Sequence, residues 1–127
     1  MSKVLIVDDS NTQCEIIAEL LQKSGISIDI ATNGVEALEK VNSGHPDLVV
    51  LDIIMPEMNG YEVCRKIKGD DQTKNIPVVM CSTKSEEFDR YWGMTNGADA
   101  YISKPFHPND LIGTVKQLLR GSVSSFI

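Results

Sequence analysis

The sequence predicts a doubly wound α/β domain, a five-stranded parallel sheet with helices on both faces. Three observations carry that prediction. Short apolar runs alternate five times with helix-period stretches along 127 residues, and the runs start about 20 to 30 residues apart, the spacing of βαβ crossovers. Val4–Val7 and Leu48–Leu51 are continuously apolar, as strands buried on both faces are. Both runs end on acids, Asp8-Asp9 and Asp52, at the strand end where open α/β sheets place their ligands.

Each element has its own local signal. After the first strand, Ser10 is a helix N-cap, and Cys14, Ile17, Ala18 and Leu21 fall on one helical face before Gly25 stops the helix. Ile26–Ala31 is the second strand, with Ile26, Ile28 and Ile30 alternating with Ser27, Asp29 and Ala31. Asn33-Gly34-Val35-Glu36 is a variant of the capping box, and Val35, Leu38 and Val41 trace the helix that follows. Ser43-Gly44-His45-Pro46 breaks it, and Asp47–Leu51 is the third strand.

Met55–Gly60 is a turn-rich loop, followed by a helix over Gly60–Lys68 with Tyr61, Cys64 and Ile67 in step. A polar loop over Gly69–Asn75 leads to the fourth strand, Ile76–Cys81, with Pro77 at its start, where a missing donor is tolerated. Glu86–Asn96 is expected to be helical and to bury Phe88, Trp92 and Thr95 on one face. Tyr91 and Trp92 are neighbours and point different ways, so one of the two is expected to be exposed, where an aromatic could serve as a partner contact. Gly97 caps that helix, Ala100–Ser103 is the fifth strand, and Pro108 opens a last helix with an apolar stripe of Leu111, Ile112, Val115, Leu118 and Leu119. The expected organisation is one domain over 1–121 and a loose tail over 122–127, starting from Gly121.

The totals narrow the function. Net charge is −6 with a sequence pI near 4.8, which argues against a nucleic-acid footprint. The three cysteines share no metal-ligand or redox spacing and are expected to be reduced core residues. The N-terminus enters Val4–Val7 at once, and four apolar residues ending on two acids make neither a signal-peptide core nor a membrane span. The expectation is a soluble, cytoplasmic protein without membrane insertion.

Reading only the residue after each buried strand gives Asp8 and Asp9, then Asp52, then Ser82 and Thr83, then Lys104. Parallel strands bring these to one edge. Three carboxylates held together repel and call for a cation. A hard ion such as Mg2+, which takes oxygen ligands, is the natural partner, and the absence of His or Cys at these strand ends argues against zinc. The chemistry such a set supports is phosphoryl transfer to a carboxylate. Asp52 is the nucleophile and is converted to an aspartyl phosphate, and Asp9 holds the cation with help from Asp8. Lys104 and the cation neutralise the phosphoryl oxygens, and Ser82 donates a hydrogen bond to one of them.

Four segments now carry a resemblance. Val4-Leu5-Ile6-Val7-Asp8-Asp9-Ser10, Leu51–Gly60, Ile76–Ser82 and Lys104-Pro105-Phe106 stand in order, each at a strand end, and over about Lys3–Arg120 the chain resembles the receiver domain of bacterial response regulators of the stand-alone CheY type. The resemblance implies the flavodoxin-like strand order 2-1-3-4-5 and phosphorylation of Asp52 by a sensor histidine kinase or a phosphotransfer protein. It implies Mg2+ bound by Asp8, Asp9, Asp52 and the backbone carbonyl of Ile54, and a cis bond between Lys104 and Pro105. Ser82 becomes the switch hydroxyl and Tyr101 the switch aromatic, which moves between outward and inward rotamers. Ile54 and Lys84 fall where side chains tune dephosphorylation in relatives. The run from Thr83 to Tyr101 is most similar to the PilH-like group of type IV pilus and twitching-motility regulators.

On this reading the chain is a signalling switch rather than an enzyme. It assists its own Mg-dependent phosphorylation and dephosphorylation, and its output runs through a downstream protein bound on the face of the fourth helix, fifth strand and fifth helix. Two alternatives use the same parts or the same fold. Haloacid-dehalogenase-type phosphatases also use an Asp nucleophile, but as Asp-x-Asp after the first strand, whereas here Ser10 follows Asp8-Asp9. A flavin-binding module needs a Ser/Thr/Gly-rich phosphate loop, and Asp8-Asp9-Ser10 would repel the FMN phosphate.

Overall fold

The computed structural model describes residues 2–124, with side chains described through Gly121. Among these residues the chain forms five strands and five helices in strict alternation. In chain order they are β1 (Lys3–Val7), α1 (Asn11–Lys23), β2 (Ser27–Ala31), α2 (Gly34–Gly44), β3 (Leu48–Leu51), α3 (Gly60–Gly69), β4 (Val78–Ser82), α4 (Glu87–Thr95), β5 (Ala100–Ser103) and α5 (Pro108–Ser124). The strands form one parallel sheet, as the sequence predicts, in the order β2-β1-β3-β4-β5 that the resemblance implied. The order reverses between β1 and β3, which opens a crevice at their carboxyl ends.

Strand periodicity divides the core in two. Leu5, Val7, Val49, Leu51, Val78, Met80 and Tyr101 pack with the apolar faces of α2 and α3. Val4, Ile6, Leu48, Val50, Val79, Cys81 and Ile102 point the other way, onto Cys14, Ile17 and Leu21 of α1 and Leu111 and Val115 of α5. The inner strands are buried throughout because both faces are covered, so their sequences are continuously apolar. The cysteines are free and buried.

Side-chain oxygens of Ser10, Asn33 and Asn59 accept N–H bonds from Gln13, Glu36 and Glu62 at the starts of α1, α2 and α3. The start of α3 is pinned closely to the sheet. A Cβ on Gly60 would stand 2.2 Å from the carbonyl oxygen of Asp52, so only glycine lets the helix enter there.

Several expectations need correction. β2 begins at Ser27 and β4 at Val78, so Ile26, Ile76 and Pro77 precede their strands. Val35 is exposed, because α2 presents Gly34, Ala37 and Val41 to the core and Val35 stands about 100° further round. In α4 the expected buried face points outward. Phe88, Trp92 and Tyr91 are 69%, 41% and 65% exposed, and Thr95 is exposed as well. The inner side is Asp89 and Gly93, because Tyr101 and Met80 leave no room there for even a Cβ. The last helix continues through Gly121, where the tail was expected to start, to Ser124; the rest of that tail, 125–127, lies outside the described residues.

Candidate functional site

The crevice at the switch point has a volume of about 730 Å3, and Asp8, Asp9, Asp52, Ile54, Thr83 and Lys104 all line it. β1 delivers Asp8 and Asp9, β3 delivers Asp52, and the turn after β5 delivers Lys104. Parallel pairing of Val7 with Leu51 ends these strands level, which puts Asp8 beside Asp52. Carboxylate oxygens of Asp8, Asp9 and Asp52 lie within 4.8 Å of one another.

Each carboxylate is held differently. Asp8 is buried, accepts the Ser10 N–H on Oδ1 at 2.9 Å, and accepts the Lys104 ammonium on Oδ2 at 2.7 Å. Asp9 is exposed at the mouth. Asp52 accepts the Ile53 N–H on Oδ1 at 2.8 Å, and its Oδ2 lies 3.9 Å from Lys104 Nζ. Burial raises the Asp52 pKa above the ordinary carboxylate value, and the charge of Asp8 adds to that, against the pull of Lys104. Burial pulls the Lys104 pKa down, but its bond to Asp8 and the charges of Asp52 and Asp8 outweigh it, so the ammonium is held more firmly than in water. The donor set is all oxygen and anionic, which fits a hard divalent cation. Burial pushes the nearby thiols of Cys14 and Cys81 up to about 11, so neither competes as a ligand or nucleophile.

Ser82 and Tyr101 sit behind the crevice. Ser82 is fully buried at the end of β4, and its Oγ accepts the Lys84 N–H at 3.2 Å. The Lys84 carbonyl in turn accepts the Tyr101 hydroxyl at 2.5 Å. Tyr101 is turned inward against Gly93, with the Arg90 guanidinium 5.4 Å over its ring. The Lys104-Pro105 bond is cis, as the resemblance implied.

Residues 4–116 match the response regulator receiver domain. The chain belongs to that family. As a receiver it is 39% identical to the protein PilG of Pseudomonas aeruginosa, over 90% of this chain and 84% of PilG. It is 36% identical to PilH of the same organism, over 95% of this chain and the whole of PilH. A CpxR homologue of Haemophilus influenzae, a transcriptional regulatory protein, is 40% identical over 98% of this chain, which spans only 53% of that protein. The receiver spans about half the length of the first curated relatives it matches. Among solved structures it resembles the chemotaxis protein CheY4 of Vibrio cholerae, with a TM-score of 0.87 at 32% identity over 93% of this chain and 98% of that one. A response regulator of Chloroflexus aurantiacus gives a TM-score of 0.90 at 31% identity, over 93% of this chain and 97% of that one. These matches are to receivers and lend nothing to the haloacid-dehalogenase alternative.

One part of the receiver site escaped sequence reading. Ile16 and Leu20 of α1, with Phe106 and Pro108, form an apolar wall of the crevice. Ile16 and Leu20 are four apart, one position before the buried Ile17 and Leu21, so they form a second stripe that could have been found.

Proposed function

We propose that this receiver is a phosphoryl-accepting switch of a two-component system, with Asp52 as the acceptor. The observation that carries the proposal is the convergence of Asp8, Asp9 and Asp52 within 4.8 Å beside the buried ammonium of Lys104. The Ile53 N–H holds Oδ1 of Asp52 and orients the carboxylate, which presents Oδ2 on the side of Lys104. Oδ2 attacks phosphorus. The bond from phosphorus to the donor histidine nitrogen breaks, and its electron pair stays on the imidazole of a sensor histidine kinase or phosphotransfer protein. Lys104 neutralises the phosphoryl oxygens, and Asp8, Asp9, Asp52 and the carbonyl of Ile54 would hold a divalent cation, which would supply further positive charge there. Mg2+ suits that oxygen donor set. The apolar wall of Ile16, Leu20 and Phe106 gives the donor protein a surface beside the acceptor.

Readout begins at Ser82. Its hydroxyl turns to a phosphoryl oxygen and changes its hold on the Lys84 N–H. Because the Lys84 carbonyl holds the Tyr101 hydroxyl, that change alters the packing of Tyr101 against α4. Arg90, Tyr101, Ser103, Asp110 and Gln117 line a groove of about 570 Å3 on the face of α4, β5 and α5, where a downstream protein binds. Likeness to a chemotaxis protein supports a role in motility or taxis, and the described helices include none long and apolar enough to cross a membrane, in keeping with action in the cytoplasm. The net charge of −6 points to protein rather than nucleic-acid partners for these residues.

Incubation with acetyl phosphate and Mg2+, followed by intact mass, tests the proposal. The expected result is a gain of one alkali-labile phosphate that Asp52→Asn abolishes. Phosphate retained in Asp52→Asn, or steady turnover of small phosphate esters, would overturn it.

A further inference from the structure

The helix α4 carries an apolar strip that neither the crevice nor the output groove uses. Phe88 and Trp92 stack with ring centroids 6.3 Å apart and planes 6° from parallel, and Tyr91 stands beside them, more than half exposed. Three large aromatics on one nine-residue helix are turned toward solvent, while its core side is Asp89 and Gly93. Exposed apolar surface gathered in this way marks an interaction site rather than scattered surface residues.

The strip lies apart from the output groove. Arg90 reaches from α4 toward β5, donating to Ser103 Oγ at 3.0 Å, and it lines the groove; Phe88, Tyr91 and Trp92 do not. Asn96, one turn beyond Trp92 on the same side, accepts from Arg65 of α3 at 3.1 Å. Phe88 and Trp92 therefore face the α3 flank of the helix, away from the groove.

The charge around the strip selects the occupant. Glu86 and Glu87 are exposed at its N-terminal end and enter no ion pair among the described residues. The nearby cations are engaged elsewhere: Lys84 faces Asp89 at 3.8 Å, Arg90 lies on Tyr101, and Arg65 stands at the opposite end, on Asn96. Aromatic faces beside exposed carboxylates that lack an ion-pair partner attract cations, through ring quadrupole and charge alike. A second copy of the chain would bring another −6 and the same two acids, so self-association is disfavoured. We infer that the Phe88–Trp92 flank of α4 is a second docking surface, and that it takes a basic amphipathic helix of another protein, with apolar side chains on the ring stack and Lys or Arg toward Glu86 and Glu87.

Trp92 is the only tryptophan in the chain, so its fluorescence reports directly on this flank. The test titrates the full chain with a synthetic amphipathic helix of Lys and Leu, and in parallel with Glu/Leu and scrambled Lys/Leu peptides. The expected result is a saturable blue shift with the helical Lys/Leu peptide alone, weakened about tenfold or more in Phe88→Ala and in the double variant Glu86→Gln, Glu87→Gln. These positions are exposed, and circular dichroism confirms that the variants fold. The inference is overturned by equal response to all three peptides or by unchanged affinity in those variants. It is also overturned by a blue shift that appears on concentrating the chain alone, or only on adding lipid vesicles.

Discussion

Lys104 and Asp8 form the close ion pair of the site: Nζ lies 2.7 Å from Oδ2, against 3.9 Å to Asp52, and both side chains are at most a tenth exposed. The fixed cation is thus anchored on Asp8 and leans toward Asp52. Asp8 has its other oxygen on the Ser10 N–H, so the pair also ties the β5–α5 turn to the start of α1.

Removing one partner of a buried pair strands the other charge, at about 3–5 kcal/mol. Lys104→Met is expected to destabilise the metal-free protein by that order in urea unfolding. Adding Asp8→Asn to Lys104→Met should recover much of the loss, a coupling that a double-mutant cycle reads directly. If the two substitutions proved additive, the pair would be energetically idle.

Asp52 has a raised pKa, first by burial and then by Asp8, so the folded site disfavours its charge. The sign follows. Between the ordinary carboxylate pKa and the raised one, the folded state binds more protons than the unfolded state, and stability falls as pH rises through that window. Without metal at neutral pH, Asp52→Asn should therefore melt higher than the wild type. That advantage should shrink as pH falls through the window and vanish below it. Saturating Mg2+ should raise the wild-type melting temperature more than that of Asp52→Asn, since a ligand at a hundred times its dissociation constant adds about 2.7 kcal/mol. A lower-melting Asp52→Asn in metal-free buffer would contradict this account.

Gly60 sets how closely α3 approaches the end of β3 at Asp52. An added methyl would meet the Asp52 carbonyl oxygen at 2.2 Å and the Ile53 Cα at 2.8 Å, both backbone atoms that yield little. Gly60→Ala is expected to cost about 3 kcal/mol or more, above the usual range for overpacking because the clash is with backbone. It should also slow acetyl-phosphate labelling of the folded fraction by shifting Asp52. Gly69, with nothing within 4 Å of the added Cβ, is the control, and Gly69→Ala should leave labelling unchanged.

The site residues could be read from the chain because a parallel sheet turns linear order into position. Asp8, Asp9, Asp52, Ser82 and Lys104 were each found as the residue that follows or ends a buried run, and β pairing delivered them to one edge. α4 misled for a physical reason. Periodicity reveals an apolar stripe but not which way it points. Gly93 was the discordant residue, and it marks the inner side because Tyr101 and Met80 press on it. Val35 misled in the same way, as an apolar residue beside a core face built partly from Gly34 and Ala37.

Gly93 and Tyr101 pack directly against each other. A Cβ at Gly93 would stand 3.0 Å from the Tyr101 ring and 2.8 Å from the Met80 sulfur, so the inward ring fits only because position 93 has no side chain. Met80 has flexible torsions and can yield, whereas Tyr101 is held by its hydroxyl on the Lys84 carbonyl and by Arg90 over the ring. Gly93→Ala should push Tyr101 outward and break that hydroxyl bond. Tyr101→Phe removes the bond alone and should cost about 1 kcal/mol. Burial raises the Tyr101 pKa to about 12, so spectrophotometric titration separates the two outcomes. In Gly93→Ala one more tyrosine should titrate near the ordinary value of about 10. An unchanged titration in Gly93→Ala would mean that Met80 alone makes way and that Gly93 does not govern the position of Tyr101.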